Sequence, residues 1–114
     1  MATTYNAVID QGADWYVNFQ WENPNGTPID VTGYTAKLQV RTSPLAKTAV
    51  LTLTNTSGIS ITGSTGTFAI HATAAQTAAI TNGLYSYDME ITSPTNVITR
   101  LIQGTFNVSP AVTR

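Results

Sequence analysis

Apolar and polar side chains alternate along several stretches of this chain. Between Asp14 and Glu22, Trp15, Val17, Phe19 and Trp21 fall on one side and Tyr16, Asn18 and Gln20 on the other, the period of a strand with one buried face. Asn23-Pro24-Asn25-Gly26-Thr27-Pro28 follows. Its prolines fix φ and its Asn-Gly supplies a left-handed position, so a hairpin-like turn is predicted. From Tyr34 to Arg41, Tyr34, Ala36, Leu38 and Val40 alternate with Thr35, Lys37, Gln39 and Arg41, a second strand that Thr42-Ser43-Pro44 breaks. A return over Ala49 to Thr54 places Leu51 and Leu53 on one side.

Two short strands, Gly58 to Ile61 and Gly66 to Ala72, are predicted around the Gly63-Ser64-Thr65-Gly66 turn, with Phe68 and Ile70 inward. The period then changes. Thr73-Ala74-Ala75-Gln76 has the form of a capping box, and Thr77 to Ile80 can complete one or two helical turns, with Asn82-Gly83 as their left-handed C-terminal cap. From Leu84 to Thr92, Tyr85, Tyr87, Met89 and Ile91 oppose Ser86, Asp88 and Glu90. Ser93-Pro94-Thr95-Asn96 turns the chain into a long return strand, Val97 to Val108, in which Gly104 predicts a bend or bulge. Turn signals at such short spacing predict an all-β fold, an antiparallel immunoglobulin-like β-sandwich of about seven or eight strands with one short helix as a crossover cap. No linker or internal repeat divides residues 1–114, and the length suits a single domain.

Composition sharpens this picture. The 21 threonines suit pleated, half-exposed surfaces, and charged residues make up only 10% of the chain, so neutral polar groups must cover most of the exterior. A net charge of -1 with five Lys+Arg offers no phosphate-neutralising surface and no polybasic segment, so neither nucleic acid nor a membrane is expected as partner. The absence of cysteine excludes disulfides and thiolate metal sites. Met1-Ala2-Thr3-Thr4-Tyr5 lacks a basic start followed by an apolar run, which predicts a protein kept in a cytoplasm.

Candidate chemistry is sparse. His71 is the sole histidine and is expected to face outward, without a nucleophile and carboxylate placed beside it. Asp88 and Glu90 share a strand face, where Lys37, Arg41 or Arg100 could pair with them across the sheet. Asp10 and Asp14 around Gly12 offer too few oxygen ligands for calcium. No catalytic residue, metal or cofactor is therefore assigned. Most aromatics are expected in the core, with Tyr16 the exception on a polar face. The faces carrying Tyr16, Asn18 and Gln20, and Lys37, Gln39 and Arg41, are where a protein neighbour could dock.

Gly12-Ala13-Asp14-Trp15, Asn25-Gly26-Thr27-Pro28-Ile29-Asp30-Val31-Thr32-Gly33-Tyr34, Leu38-Gln39-Val40-Arg41, Gly83 through Ile91 and Thr99-Arg100-Leu101-Ile102-Gln103-Gly104 carry a resemblance that spans nearly the whole chain. The chain resembles small bacteriophage virion proteins and is similar to the N-terminal domain of phage baseplate upper proteins. That resemblance implies a non-catalytic structural part of a virion, an adaptor in the tail, baseplate or fibre-attachment region. Its partners would be other virion proteins and copies of itself. A capsid decoration or cement protein is the close alternative, and a carbohydrate-binding module, which needs coplanar exposed aromatics, a more distant one.

Overall fold

The computed structural model describes residues 3–110; Met1, Ala2 and residues 111–114, which the sequence places in the same domain, lie outside the described residues. Among the described residues nine strands run in the order β1 (Thr3–Thr4), β2 (Ala7–Asp10), β3 (Trp15–Gln20), β4 (Thr35–Arg41), β5 (Leu51–Thr54), β6 (Ile59–Thr62), β7 (Thr67–Ala72), β8 (Gly83–Thr92) and β9 (Ile98–Ser109). A short helix, α1 (Ala74–Ala78), joins β7 to β8. One sheet has the path β1-β9-β8-β4-β5, with β2 also on β9; the other is β3-β7-β6.

These layers are those of an immunoglobulin-like sandwich. β3, β7 and β6 correspond to strands B, E and D, and β4, β8 and β9 to C, F and G, with β5 added beside C as in variable-type domains. The corner before β8 carries a further mark of this architecture. Tyr85, near the start of the F-equivalent strand, donates its hydroxyl to the Thr81 carbonyl at 2.6 Å, four residues upstream. Tyr87 then occupies the position of the second cysteine of antibody domains. In place of a disulfide, an edge-to-face aromatic chain links the sheets: Tyr87 lies 5.9 Å from Phe106, and Phe106 5.2 Å from Trp15 on β3.

Strand alternation produces the core as the sequence predicts. Ala36, Leu38 and Val40 of β4, Leu51 and Leu53 of β5, Phe68 and Ile70 of β7, and Tyr87, Met89 and Ile91 of β8 are buried and form one hydrophobic cluster. The capping box is present in both directions, Gln76 N donating to Thr73 Oγ1 and Thr73 N to Gln76 Oε1. The helix carries the chain between sheets.

The hairpin-like turn forms as expected, and two other expectations need correction. Across the Asn25-Gly26 turn Asn23 N donates to the Thr27 carbonyl and Glu22 is bridged to Pro28, after which the chain passes from one sheet to the other, so β3 and β4 lie in different layers. Both strands have one apolar face, and opposing those faces across the sandwich buries them as well as a hairpin would. The helix ends at Ala79 in right-handed conformation, and Gly83 instead opens β8. The bulge in β9 falls at Leu101, since Met89 pairs with Ile102 and Glu90 with Arg100, whereas Gly104 stays in the ladder opposite Tyr87.

Alternation predicts no element before Asp14. β1 and β2 form a strand parallel to β9, so the sheets are antiparallel apart from this one edge. The register is the same before and after the Tyr5-Asn6 interruption, Thr4 opposite Gln103 and Ala7 opposite Phe106. At the interruption Tyr5 N donates to the Gln103 carbonyl at 2.9 Å and Thr105 N to Asn6 Oδ1 at 3.1 Å. Gly104 is required here, because a Cβ would meet the Tyr5 carbonyl oxygen and lie 2.9 Å from the carbonyl carbon.

Candidate functional site

The outward side chains of β4, β8 and β9 form rows across the larger sheet. Lys37, Glu90 and Arg100 are neighbours in register, as are Gln39, Asp88 and Gln103, and then Arg41, Ser86 and Thr105. A shallow groove of about 420 Å³ runs over this face, and its walls include Gln39, Arg41, Asp88, Glu90, Arg100 and Gln103. The chain has five basic and six acidic side chains. Three of the former and two of the latter stand on this one face.

Glutamines orient both arginines. Arg100 donates through Nε to Asp88 Oδ2 at 3.3 Å and through Nη1 to Gln103 Oε1 at 3.3 Å. Arg41 donates through Nη2 to Gln39 Oε1 at 2.8 Å and through Nη1 to the Ala46 carbonyl at 3.0 Å, which ties the β4–β5 loop to the rim. Lys37 and Glu90, directly opposite one another, make no ion pair within the described residues. The Asp88–Arg100 pair is half-exposed, and such a pair contributes at most about 1 kcal/mol to stability.

The outer face of the smaller sheet holds the second group. Tyr16, Asn18 and Gln20 of β3 stand opposite His71, Ala69 and Thr67 of β7. Tyr16 is 68% exposed and stacks on the His71 ring, centroids 4.2 Å apart. His71 Nε2–H donates to Asp14 Oδ1 at 3.0 Å, and Ala74 N, at the helix start, donates to the same oxygen at 3.1 Å. These two bonds, the histidine first, hold the Asp14 carboxyl below the usual carboxylate range. The sequence predicts an outward His71 but gives no sign of its carboxylate partner, 57 residues away.

The two sets of predicted docking residues therefore lie on opposite outer surfaces of the sandwich, Tyr16, Asn18 and Gln20 on one sheet and Lys37, Gln39 and Arg41 on the other. Arg100, Gln103 and Asp88 complete the second surface. Cross-strand pairing of Asp88 with Arg100 was foreseeable from their facing, whereas Gln103 depends on where the bulge falls. Among the described residues no group of three or more His, Asp or Glu side chains is placed to hold a metal ion, and no helix is long and apolar enough to cross a membrane.

No family model and no curated protein sequence matches the chain. Among solved structures it is similar to the PmoD soluble domain from Methylocystis sp. ATCC 49242 (Rockwell), at 20% identity over 92% of this chain and 79% of that one, with a TM-score of 0.50. It is similar also to extracellular domains 3–5 of Drosophila OTK, at 12% identity over 95% of this chain and 33% of that one (TM-score 0.39). Murine CRIg is 8% identical over 93% of this chain and 92% of that one (TM-score 0.39). At such identity the PmoD likeness is one of fold alone.

Proposed function

We propose that this protein is a non-catalytic structural component of a bacteriophage particle, an adaptor in the tail, baseplate or fibre-attachment region that docks on a protein neighbour through the outer face of β4, β8 and β9. One observation carries the docking role. In a chain poor in charge, opposite charges are gathered in rows on one sheet face, where Lys37 and Glu90 make no ion pair among the described residues. Mixed signs on a grooved surface suit a protein partner with the complementary pattern, whereas a phosphate backbone would call for one sign. Assignment of that partner to a virion rests on the sequence resemblance.

A carbohydrate-binding module draws less support, because the exposed aromatics include Tyr16 stacked on a histidine and no second coplanar ring beside it. The test is incorporation into particles. Purified virions should contain the protein in a fixed ratio to other tail or capsid proteins, and Lys37→Glu or Glu90→Lys should lower that ratio several-fold while far-UV circular dichroism stays unchanged. A protein absent from washed particles would remove the virion role. Normal incorporation of both charge-reversed variants would remove this face as the docking surface.

A further inference from the structure

We propose that β3 is a docking edge for β3 of a second copy of this chain, the two strands pairing antiparallel so that two three-stranded sheets become one of six. The proposal does not depend on the role of the larger sheet's outer face or on a virion setting.

Among the described residues β3 pairs only with β7. Two hydrogen bonds fix which of its backbone groups are left over. Trp21 N donates to the Gly66 carbonyl and His71 N to the Gly58 carbonyl, so His71 turns its main-chain groups toward β6, and Ile70 turns its own toward Val17. Because the phase alternates, Trp15, Val17 and Phe19 bond β7, and the N–H and C=O groups of Tyr16, Asn18 and Gln20 point to the open edge. The close approach of Tyr16 and His71 rings is what a non-hydrogen-bonded pair gives.

This edge lacks the usual protection. Trp15–Gln20 contains no charged residue, no proline and no bulge, the devices by which exposed edges normally avoid pairing. The other free edges are shorter or broken: β5 and β6 have four residues each, and the β1–β2 strand is interrupted at Tyr5-Asn6. The inward residues of β3 are only partly buried, while Phe68, Ile70 and Ala72 on β7 are fully buried. A further strand would cover them.

Charge selects the register with a second copy. Inward residues must meet inward residues and edge-facing groups must meet each other, which leaves two centred arrangements, with the two-fold axis at Val17 or at Asn18. Centring on Asn18 sets Asp14 directly opposite Glu22 at both ends, and like charges so placed oppose pairing. Centring on Val17 sets Asp14 opposite Gln20, Trp15 opposite Phe19 and Tyr16 opposite Asn18. Tyr16 and Asn18 then exchange about four backbone hydrogen bonds across the axis.

Sedimentation of the full chain from about 1 µM to about 1 mM, the span over which a small strand-edge interface dissociates, should show its mass rise from 12.1 kDa to twice that value. Single cysteines are diagnostic in a chain that has none. Under oxidation Val17→Cys should cross-link at least about tenfold faster than Asn18→Cys, because only residues on the axis come within disulfide range. Asn18→Pro removes an edge-facing N–H and leaves the β7 ladder intact, so it should stay monomeric with unchanged circular dichroism. A mass of 12.1 kDa throughout for the unmodified chain, or a dimer that survives Asn18→Pro, overturns the pairing. Preferential cross-linking through Asn18→Cys overturns the register.

Discussion

Replacing Gly104 by alanine should displace the N-terminal strand. The new methyl would overlap the Tyr5 carbonyl oxygen and lie 2.9 Å from both the Tyr5 carbonyl carbon and Asn6 Oδ1, so the Tyr5-Asn6 link must move outward. Three hydrogen bonds hold it in place: Tyr87 Oη donates to the Tyr5 carbonyl at 2.6 Å, Tyr5 N to the Gln103 carbonyl at 2.9 Å, and Thr105 N to Asn6 Oδ1 at 3.1 Å. At about 1 kcal/mol for each, the loss is about 3 kcal/mol. For a domain of this length, melting shifts by about 4 °C per kcal/mol, so Tm should fall by about 12 °C. Hydrogen exchange should locate the damage, with amide protection lost at Tyr5 and Thr105 and kept in the β4–β8 ladder. Gly26→Ala is the control. Gly26 has φ of 88° but open space where Cβ would stand, so the substitution carries backbone strain without overlap and should cost only about 1 kcal/mol. If Gly104→Ala melts no lower than Gly26→Ala, the close approach of the two strands is not what excludes a side chain at this position.

Burial, and secondarily Tyr5, raises the Tyr87 phenol well above its ordinary value, so the stability it contributes is complete below about pH 10, where the unfolded tyrosine ionises, and declines as pH rises beyond it. Urea midpoints measured from pH 8 to 11 should fall at the alkaline end, and Tyr87→Phe should flatten that fall while costing about 1 kcal/mol at neutral pH. The Asp14 carboxyl, held low chiefly by His71 and then by Ala74 N, acts in the opposite sense: its contribution is present above about pH 4 and is lost as pH drops through the depressed folded value. Asp14→Asn should therefore differ from the unmodified chain at pH 6 and converge with it near pH 2. Thr77 is fully buried, its hydroxyl accepting from Gly12 N at 3.0 Å and donating to the Ala13 carbonyl at 2.8 Å; Thr77→Val should cost about 1–3 kcal/mol in urea denaturation, and a loss below about 0.5 kcal/mol would show that loop to be held otherwise.

Strand facing was legible in this sequence because it is a local, period-two property: the inward residues of β4, β5, β7 and β8 follow from alternation alone. What alternation cannot carry is which strands share a sheet. Asn25-Gly26 announces a reversal whether the chain returns beside β3 or crosses to the opposite layer, since either route buries Val17 and Leu38. The parallel N-terminal strand left still less trace. β1 has two residues, β2 has an exposed Val8 between buried Ala7 and Ile9, and a parallel partner on β9 requires no local turn to mark it. Its signal lay instead in Gly104, a strand glycine that reports a close backbone approach as well as a bend. Thr81-Asn82-Gly83-Leu84-Tyr85 was a second available signal, for the tyrosine corner that fixes the entry to β8. Both groups of surface residues were assigned correctly to outward faces. Their separation onto opposite sides of the sandwich follows from the crossing between β3 and β4. Because of that crossing, one surface presents charge rows and the other carries the open edge of β3, so the two contacts proposed for this small domain draw on different residues.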